Sequence, residues 1–182
     1  MNFIPCDIPD VLIIEPKVFG DARGFFMETY QARRMAEAGI SGNFVQDNQS
    51  RSARGVLRGL HYQVRQTQAK LVRVVSGSIF DVCVDLRRSS PTFKQWTGVE
   101  LSAENKRQLW VPKGFAHGFY VLSESADLVY KTDDYYAPEW ECTLKWDDPA
   151  VGVRWPVPAG EIPVVSAKDA QGKPLAECPL FD

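Results

Sequence analysis

Histidine is what this sequence has least of: two in 182 residues, His61 and His117, with no His-x-His pair. A catalytic transition metal needs three or four His, Cys or carboxylate ligands converging on one point, so none is expected. The four cysteines, Cys6, Cys83, Cys142 and Cys178, are scattered without a Cys-x-x-Cys pair. That pattern argues against a zinc site or disulfide framework and for reduced thiols in a cytoplasm. No run approaches the ~18 apolar residues of a membrane span. The opening Met-Asn-Phe-Ile-Pro-Cys-Asp lacks the basic and apolar regions of a signal peptide. A Gly-x-Ser-x-Gly elbow, a P-loop and a dinucleotide fingerprint are all missing, so neither a serine nucleophile nor ATP or NAD is implied. With 21 Lys and Arg against 23 Asp and Glu, the formal net charge of −2 excludes a broad nucleic-acid surface.

The most informative absence is local. Between Asp47 and Asp81 there is no carboxylate, yet the stretch carries Arg51, Arg54, Arg58, Arg65, Lys70, Arg73 and His61. A positive field confined to one stretch of a near-neutral chain points to an anionic ligand. The imidazole inside it suits proton chemistry, because its ordinary pKa of about 6.5 lies near working pH. A solvated basic strand face around a core histidine would produce the same pattern.

Length and composition fit one domain, residues 1–182, with room for a substantial core. The texture is β: runs at 11–14, 25–30, 71–75, 79–86, 96–101, 108–111, 115–122 and 127–132 read as strands. Val82, Val84 and Leu86 alternate with Asp81, Cys83 and Asp85, as in a half-buried strand. Gly77 between two runs predicts a hairpin turn. One helix is expected near Gln31 to Ala38, stopped by Gly39, and the segment from Pro138 onward is expected to be irregular. Many short antiparallel strands with Gly and Pro turns predict an all-β sandwich or jelly roll, whose interior can hold a ligand.

Acid–base chemistry is what the residues leave open. His61 could remove a proton if a distant carboxylate such as Asp169 oriented it. Tyr130 could supply a proton from another direction, and Lys70 or His117 could stabilise charge on an oxygen. Each also has a packing or solvated role available to it. Strand parity puts Phe115, His117, Phe119 and Val121 on one inward face. Arg58 and His61 would point opposite ways unless Gly59 permits a bulge. Tyr135 and Tyr136 form a plausible platform for a flat base.

Six motifs then carry a resemblance. They are Glu15-Pro-Lys-Val-Phe-Gly-Asp-Ala-Arg-Gly-Phe-Phe26, Phe44-Val-Gln-Asp-Asn48, Gly55-Val-Leu-Arg-Gly-Leu-His-Tyr-Gln63, Pro112-Lys-Gly-Phe-Ala-His-Gly-Phe119, Tyr130-Lys-Thr-Asp-Asp-Tyr-Tyr-Ala-Pro138 and Ser166-Ala-Lys-Asp169. In this order and over nearly the whole length, they resemble the dTDP-4-dehydrorhamnose 3,5-epimerase family. The resemblance implies a cupin-type jelly roll, a homodimer, and no metal or organic cofactor. It implies the substrate dTDP-4-dehydro-6-deoxy-D-glucose and the product dTDP-4-dehydro-L-rhamnose. By motif position, His61 matches the base, Asp169 its carboxylate, Tyr130 the acid and Lys70 the cation near the C4 oxygen, with His117 lining the sugar pocket. Arg23, Glu28, Gln46, Asn48, Arg58 and Lys168 match positions that hold the nucleotide and its diphosphate. Tyr136 matches the aromatic that stacks on thymine, and Glu141 a further contact. The chain departs from the pattern at Trp140 and Cys142, which flank Glu141. A mono-epimerase, a ketoisomerase on a related sugar, and a non-catalytic nucleotide-sugar module are the alternatives.

Overall fold

The computed structural model describes residues 1–40 and 42–182. In chain order its elements are β1 (Asn2–Pro5), β2 (Leu12–Glu15), β3 (Val18–Asp21), β4 (Gly24–Met27), α1 (Ala32–Glu37), β5 (Gln46–Ala53) and β6 (Leu57–Gln63). There follow β7 (Lys70–Ser76), β8 (Ser78–Asp85), β9 (Trp96–Ser102), β10 (Gln108–Val111), β11 (Phe115–Val121), β12 (Ser125–Thr132), β13 (Glu141–Thr143) and α2 (Ala167–Ala170). The strands form a six-stranded sheet ordered β1-β2-β10-β7-β12-β5 and a five-stranded sheet ordered β13-β6-β11-β8-β9. Strands β3 and β4 make a separate two-stranded hairpin.

The two sheets face each other across one core. Val72, Val74, Leu109 and Leu128 from the six-stranded sheet meet Cys83, Val99, Phe119 and Val121 from the other. Burying each such Val or Leu contributes roughly 1.5–3 kcal/mol. Phe115, Phe119 and Val121 all belong to this core, as strand parity predicts. The outer face of the six-stranded sheet is covered as well: Met35 of α1, with Ile40, packs on Ile14, Leu71 and Trp110. Gln31 caps α1, its side chain accepting from the Arg34 amide at 2.7 Å. Gly39 sits just beyond the helix at φ +82, where a left-handed residue is needed.

Two local expectations fail. Gly77 does not close a hairpin, because β7 pairs with β10 and β12 while β8 pairs with β11 and β9. The chain instead crosses from one sheet to the other there. Gly77 has φ +73, and a Cβ on it would lie 2.0 Å from the Ser125 carbonyl oxygen. Strand β8 is not half-buried either. Its Val82 and Val84 side is covered by Leu144, Leu175, Cys178 and Trp155, so the segment from Pro138 onward, expected to be irregular but contributing β13 and α2, forms a second core on the outside of the five-stranded sheet. Asp81 and Asp85, the polar half of the alternation, are fully buried. The result is a jelly-roll β-sandwich of the cupin type.

Candidate active site

Strands β6 and β11 bring the two histidines together: His61 lies directly opposite His117 in the ladder. Residues so paired present their side chains to the same face. Between them the register slips, since Arg58 faces Phe119 while His61 faces His117. That is one extra residue on β6, the bulge that Gly59 allows. Gly59 has φ +123, and a Cβ there would lie 2.6 Å from the Gly118 Cα. The bulge lets Arg58 and His61, three apart in sequence, border one cleft.

That cleft, of about 190 Å³, opens between the sheets. Arg58, His61 and His117 line it from the five-stranded sheet; Lys70 of β7 and Tyr130 of β12 line it from the six-stranded one. Tyr136 and Glu141 stand at its border.

His61 has its carboxylate. Nε2 lies 2.5 Å from Asp169 Oδ1, which arrives on α2, far along the chain. Ser166 caps that short helix by accepting from the Asp169 amide at 3.0 Å. Burial works against the charged form of Asp169. Hydrogen bonding from His61 first, then from Ser166 and the Gly59 amide, outweighs it and holds the carboxyl below its usual range. His117 has a carboxylate of its own, with Nε2 2.7 Å from Asp81 Oδ1. The other Asp81 oxygen has no partner among the described residues.

The opposite wall is tuned differently. Burial raises the Tyr130 phenol above its ordinary value, the negative Glu141 adds to this, and Arg58 partly offsets it, so the proton is held firmly. Enclosure lowers the Lys70 ammonium, with Cys83, Asp81 and Glu141 opposing. At the rim, Tyr136 donates to Glu141 Oε2 at 2.7 Å, which pushes its phenol up to about 12. Lys168 forms an ion pair with the same Glu141 oxygen. Burial opposes the charge of Glu141, but the bonds from Lys168 and Tyr136 win and lower it. Trp140 turns away from this network, its ring lying 4.4 Å under the Arg65 guanidinium.

Gln46, Asn48 and Ser50 alternate along one face of β5, and Ser50 borders the cleft. Gln46 donates to Asn48 Oδ1 at 3.0 Å, while its own oxygen accepts from the Tyr136 amide at 3.0 Å. Arg58 donates to Ser52 at 2.9 Å. Arg23 and Glu28 stand apart from the cleft. Arg23, 90% exposed, pairs with Asp21 at the β3–β4 hairpin, and Glu28 lies 3.6 Å from Arg34. Sequence reasoning missed Asp81, Gln63 and Gln68; Asp81 meets His117 across two strands, and the glutamines bind loop backbone 66 to 74 residues away, so no local pattern marked them. Among the described residues no three His, Cys, Asp or Glu side chains gather as a metal site would require. A larger concavity, about 380 Å³, lies by Arg73, Gln108 and Lys131 and contains no imidazole–carboxylate pair.

Known proteins resemble this chain over nearly its whole length. Residues 5–177 match the family model described as dTDP-4-dehydrorhamnose 3,5-epimerase. A Pseudomonas aeruginosa protein of that name is 60% identical over 175 residues, 96% of each chain. The solved dTDP-6-deoxy-D-glucose-3,5-epimerase from Legionella pneumophila, in complex with dTDP-4-keto-L-rhamnose, superposes with a TM-score of 0.95. It is 56% identical, and the match covers 99% of this chain and 97% of that one. A 3'-monoepimerase from Streptomyces bikiniensis, solved with dTDP-quinovose, is 33% identical at a TM-score of 0.86, covering 94% of this chain and 87% of that one. A matched model over nearly every residue, with relatives at this identity, leaves one assignment: the chain belongs to the dTDP-4-dehydrorhamnose 3,5-epimerase family.

Proposed function

We propose that the protein inverts C3 and C5 of dTDP-4-dehydro-6-deoxy-D-glucose, giving dTDP-4-dehydro-L-rhamnose for L-rhamnose biosynthesis. One observation carries the reading: an imidazole–carboxylate pair and a firmly protonated phenol line a single cleft from two opposing sheets. Both reacting carbons flank the C4 ketone. His61, oriented by Asp169, takes the proton from one face, and the electron pair flows into the carbonyl to give an enolate. Tyr130 returns a proton to the other face, which inverts the centre. The Lys70 ammonium stabilises the enolate oxygen more than the neutral ketone, so it lowers the barrier and does not merely tighten binding. His117 lines the sugar pocket behind it. Arg58, Lys168, Gln46 and Asn48 hold the diphosphate and nucleoside, and Tyr136 with Glu141 receives the thymine. Anchoring the remote diphosphate positions the reacting carbons.

The nucleotide roles of Arg23 and Glu28 require a second copy. Phe19, Phe25 and Phe26 on the β3–β4 hairpin are exposed, and contiguous exposed aromatics favour a protein contact. A homodimer in which this hairpin reaches its partner's cleft would bring Arg23 and Glu28 to the nucleotide. Four unpaired thiols fit a reducing cytoplasm.

Proton NMR in deuterated water with the keto sugar and no added metal tests the reaction. Deuterium is expected at both C3 and C5 with formation of the L-lyxo product. Label at C3 alone would favour the single-carbon chemistry named for the Streptomyces bikiniensis relative. No label at either carbon would sink catalysis altogether.

A further inference from the structure

Tyr136 sits on a segment, residues 133–137, that belongs to no strand, so no ladder fixes its backbone. Side-chain amides do so instead. Gln63, the last residue of β6 and only 4% exposed, donates from Nε2 to the Tyr135 carbonyl at 3.2 Å and the Gln66 carbonyl at 2.6 Å. Its Oε1 accepts from the Ala137 amide at 2.9 Å. Between those two contacts the Tyr136 amide donates to Gln46. Gln68 continues the pattern, donating to the Asp134 carbonyl at 2.9 Å. Three consecutive residues, 135 to 137, are therefore held by two glutamine side chains. The far end of the tyrosine is tied to the same place. Its hydroxyl donates to Glu141, and Glu141 lies opposite Gln63 in the β6–β13 ladder.

We propose that Gln63 is a positioning residue for base recognition, setting the height and tilt of the Tyr136 ring so that it meets the thymine without reorganisation. The inference rests on the proposed stacking role of Tyr136. Both hydrogens of the Gln63 amide are committed to protein carbonyls, so the residue acts through Tyr136 and not on the ligand. Glutamine suits the position because one uncharged group supplies two donors and an acceptor together. A ring already held in its bound pose loses less freedom on association.

The test is a double-mutant cycle read by calorimetry with dTDP alone, beside steady-state kinetics. Tyr136→Ala should weaken dTDP binding roughly 5- to 100-fold, the range for losing one aromatic–base stack. Gln63→Glu keeps the acceptor but loses both donors, and should weaken it roughly three- to tenfold. KM should rise with Kd while kcat at saturation stays within about twofold. The double variant should bind no worse than Tyr136→Ala, because the two changes act through one ring. Additive losses, a fall in kcat with dTDP affinity intact, or a fall in Tm alone would each overturn the proposal. Loss in Tyr136→Ala with none in Gln63→Glu would overturn it while leaving stacking in place. Unchanged affinity in Tyr136→Ala would remove the stacking assignment and this inference together. If the buried Glu prevents folding, Gln63→Met gives the same cycle without a charge.

Discussion

Two imidazole–carboxylate pairs stand on adjacent strands, His61–Asp169 and His117–Asp81, joined in both cases through Nε2 and Oδ1. The His61 side chain is 29% exposed to the cleft, the His117 side chain 9%. Asp169 is well supplied with donors, from His61, Ser166 and Gly59. Asp81 has one oxygen bonded and the other bare among the described residues. A pair open to the ligand can pass a proton and be restored by solvent. A closed pair that gave one up would leave an uncompensated charge in the interior, which is costly. In the proposed mechanism the same two side chains serve two purposes: proton transfer at the cleft, and a fixed field behind it.

The comparison can be broken in several places. The largest effect is expected from His61→Ala, which should lower kcat by roughly 100- to 10,000-fold while dTDP titration shows binding retained. Near-normal turnover would remove His61 as base. Next, Asp169→Asn should cost kcat roughly 100-fold or more by loosening the imidazole, whereas Asp81→Asn should cost about tenfold. Equal losses in parallel assays would mean that burial does not separate the two pairs.

A third effect lies on the alkaline side. Enclosure lowers the Lys70 ammonium and raises the Tyr130 phenol. The rate should fall as pH rises through the folded Lys70 value, below the usual lysine range. In Lys70→Arg the fall should move to higher pH, since a guanidinium keeps its proton. A pH–kcat profile that does not move would take Lys70 out of the role.

The smallest effect concerns a buried carboxylate with no part in the chemistry. Asp85 accepts from Arg87, Ser90 and Thr92 on both oxygens, which outweighs its burial and brings it down to about 2. Depressed from an unfolded value near 3.9, it stabilises the fold above about pH 4, and that contribution drains away as pH falls towards 2. Asp85→Asn should cost about 2 kcal/mol at neutral pH, roughly 4–8 °C in Tm for a domain of this size. The deficit should vanish in acid melts near pH 2.

Where the chain packs apolar against apolar, the residues announced their structure. Gln108 to Val111 falls where its run predicts, and α1 ends before Gly39 for the reason given. Of the strands that border the cleft, β7, β11 and β12 fall on predicted runs, but β5 and β6 did not announce themselves. Strand β5 alternates Gln46, Asn48, Ser50 and Ser52 inward against Asp47, Gln49 and Arg51 outward, because its inner face meets a polar cavity and supplies no hydrophobic period. Strand β6 is broken by the bulge and buried on both sides. Asp81 looked like the solvent side of an amphipathic strand, since nothing nearby in sequence indicates that later residues would cover β8. His61, Tyr130 and Asp169 were marked by residue type and motif, but their convergence depends on sheet pairing.

Asp169 reaches the imidazole from a segment that follows the last strand, the same segment whose Leu175 and Cys178 seal the outside of the five-stranded sheet. Both sheets could therefore be complete while the proposed base still lacked the carboxylate that orients it. If His61 is the base, closing the outer seal of the five-stranded sheet and supplying the carboxylate that orients it are tasks of one stretch of chain.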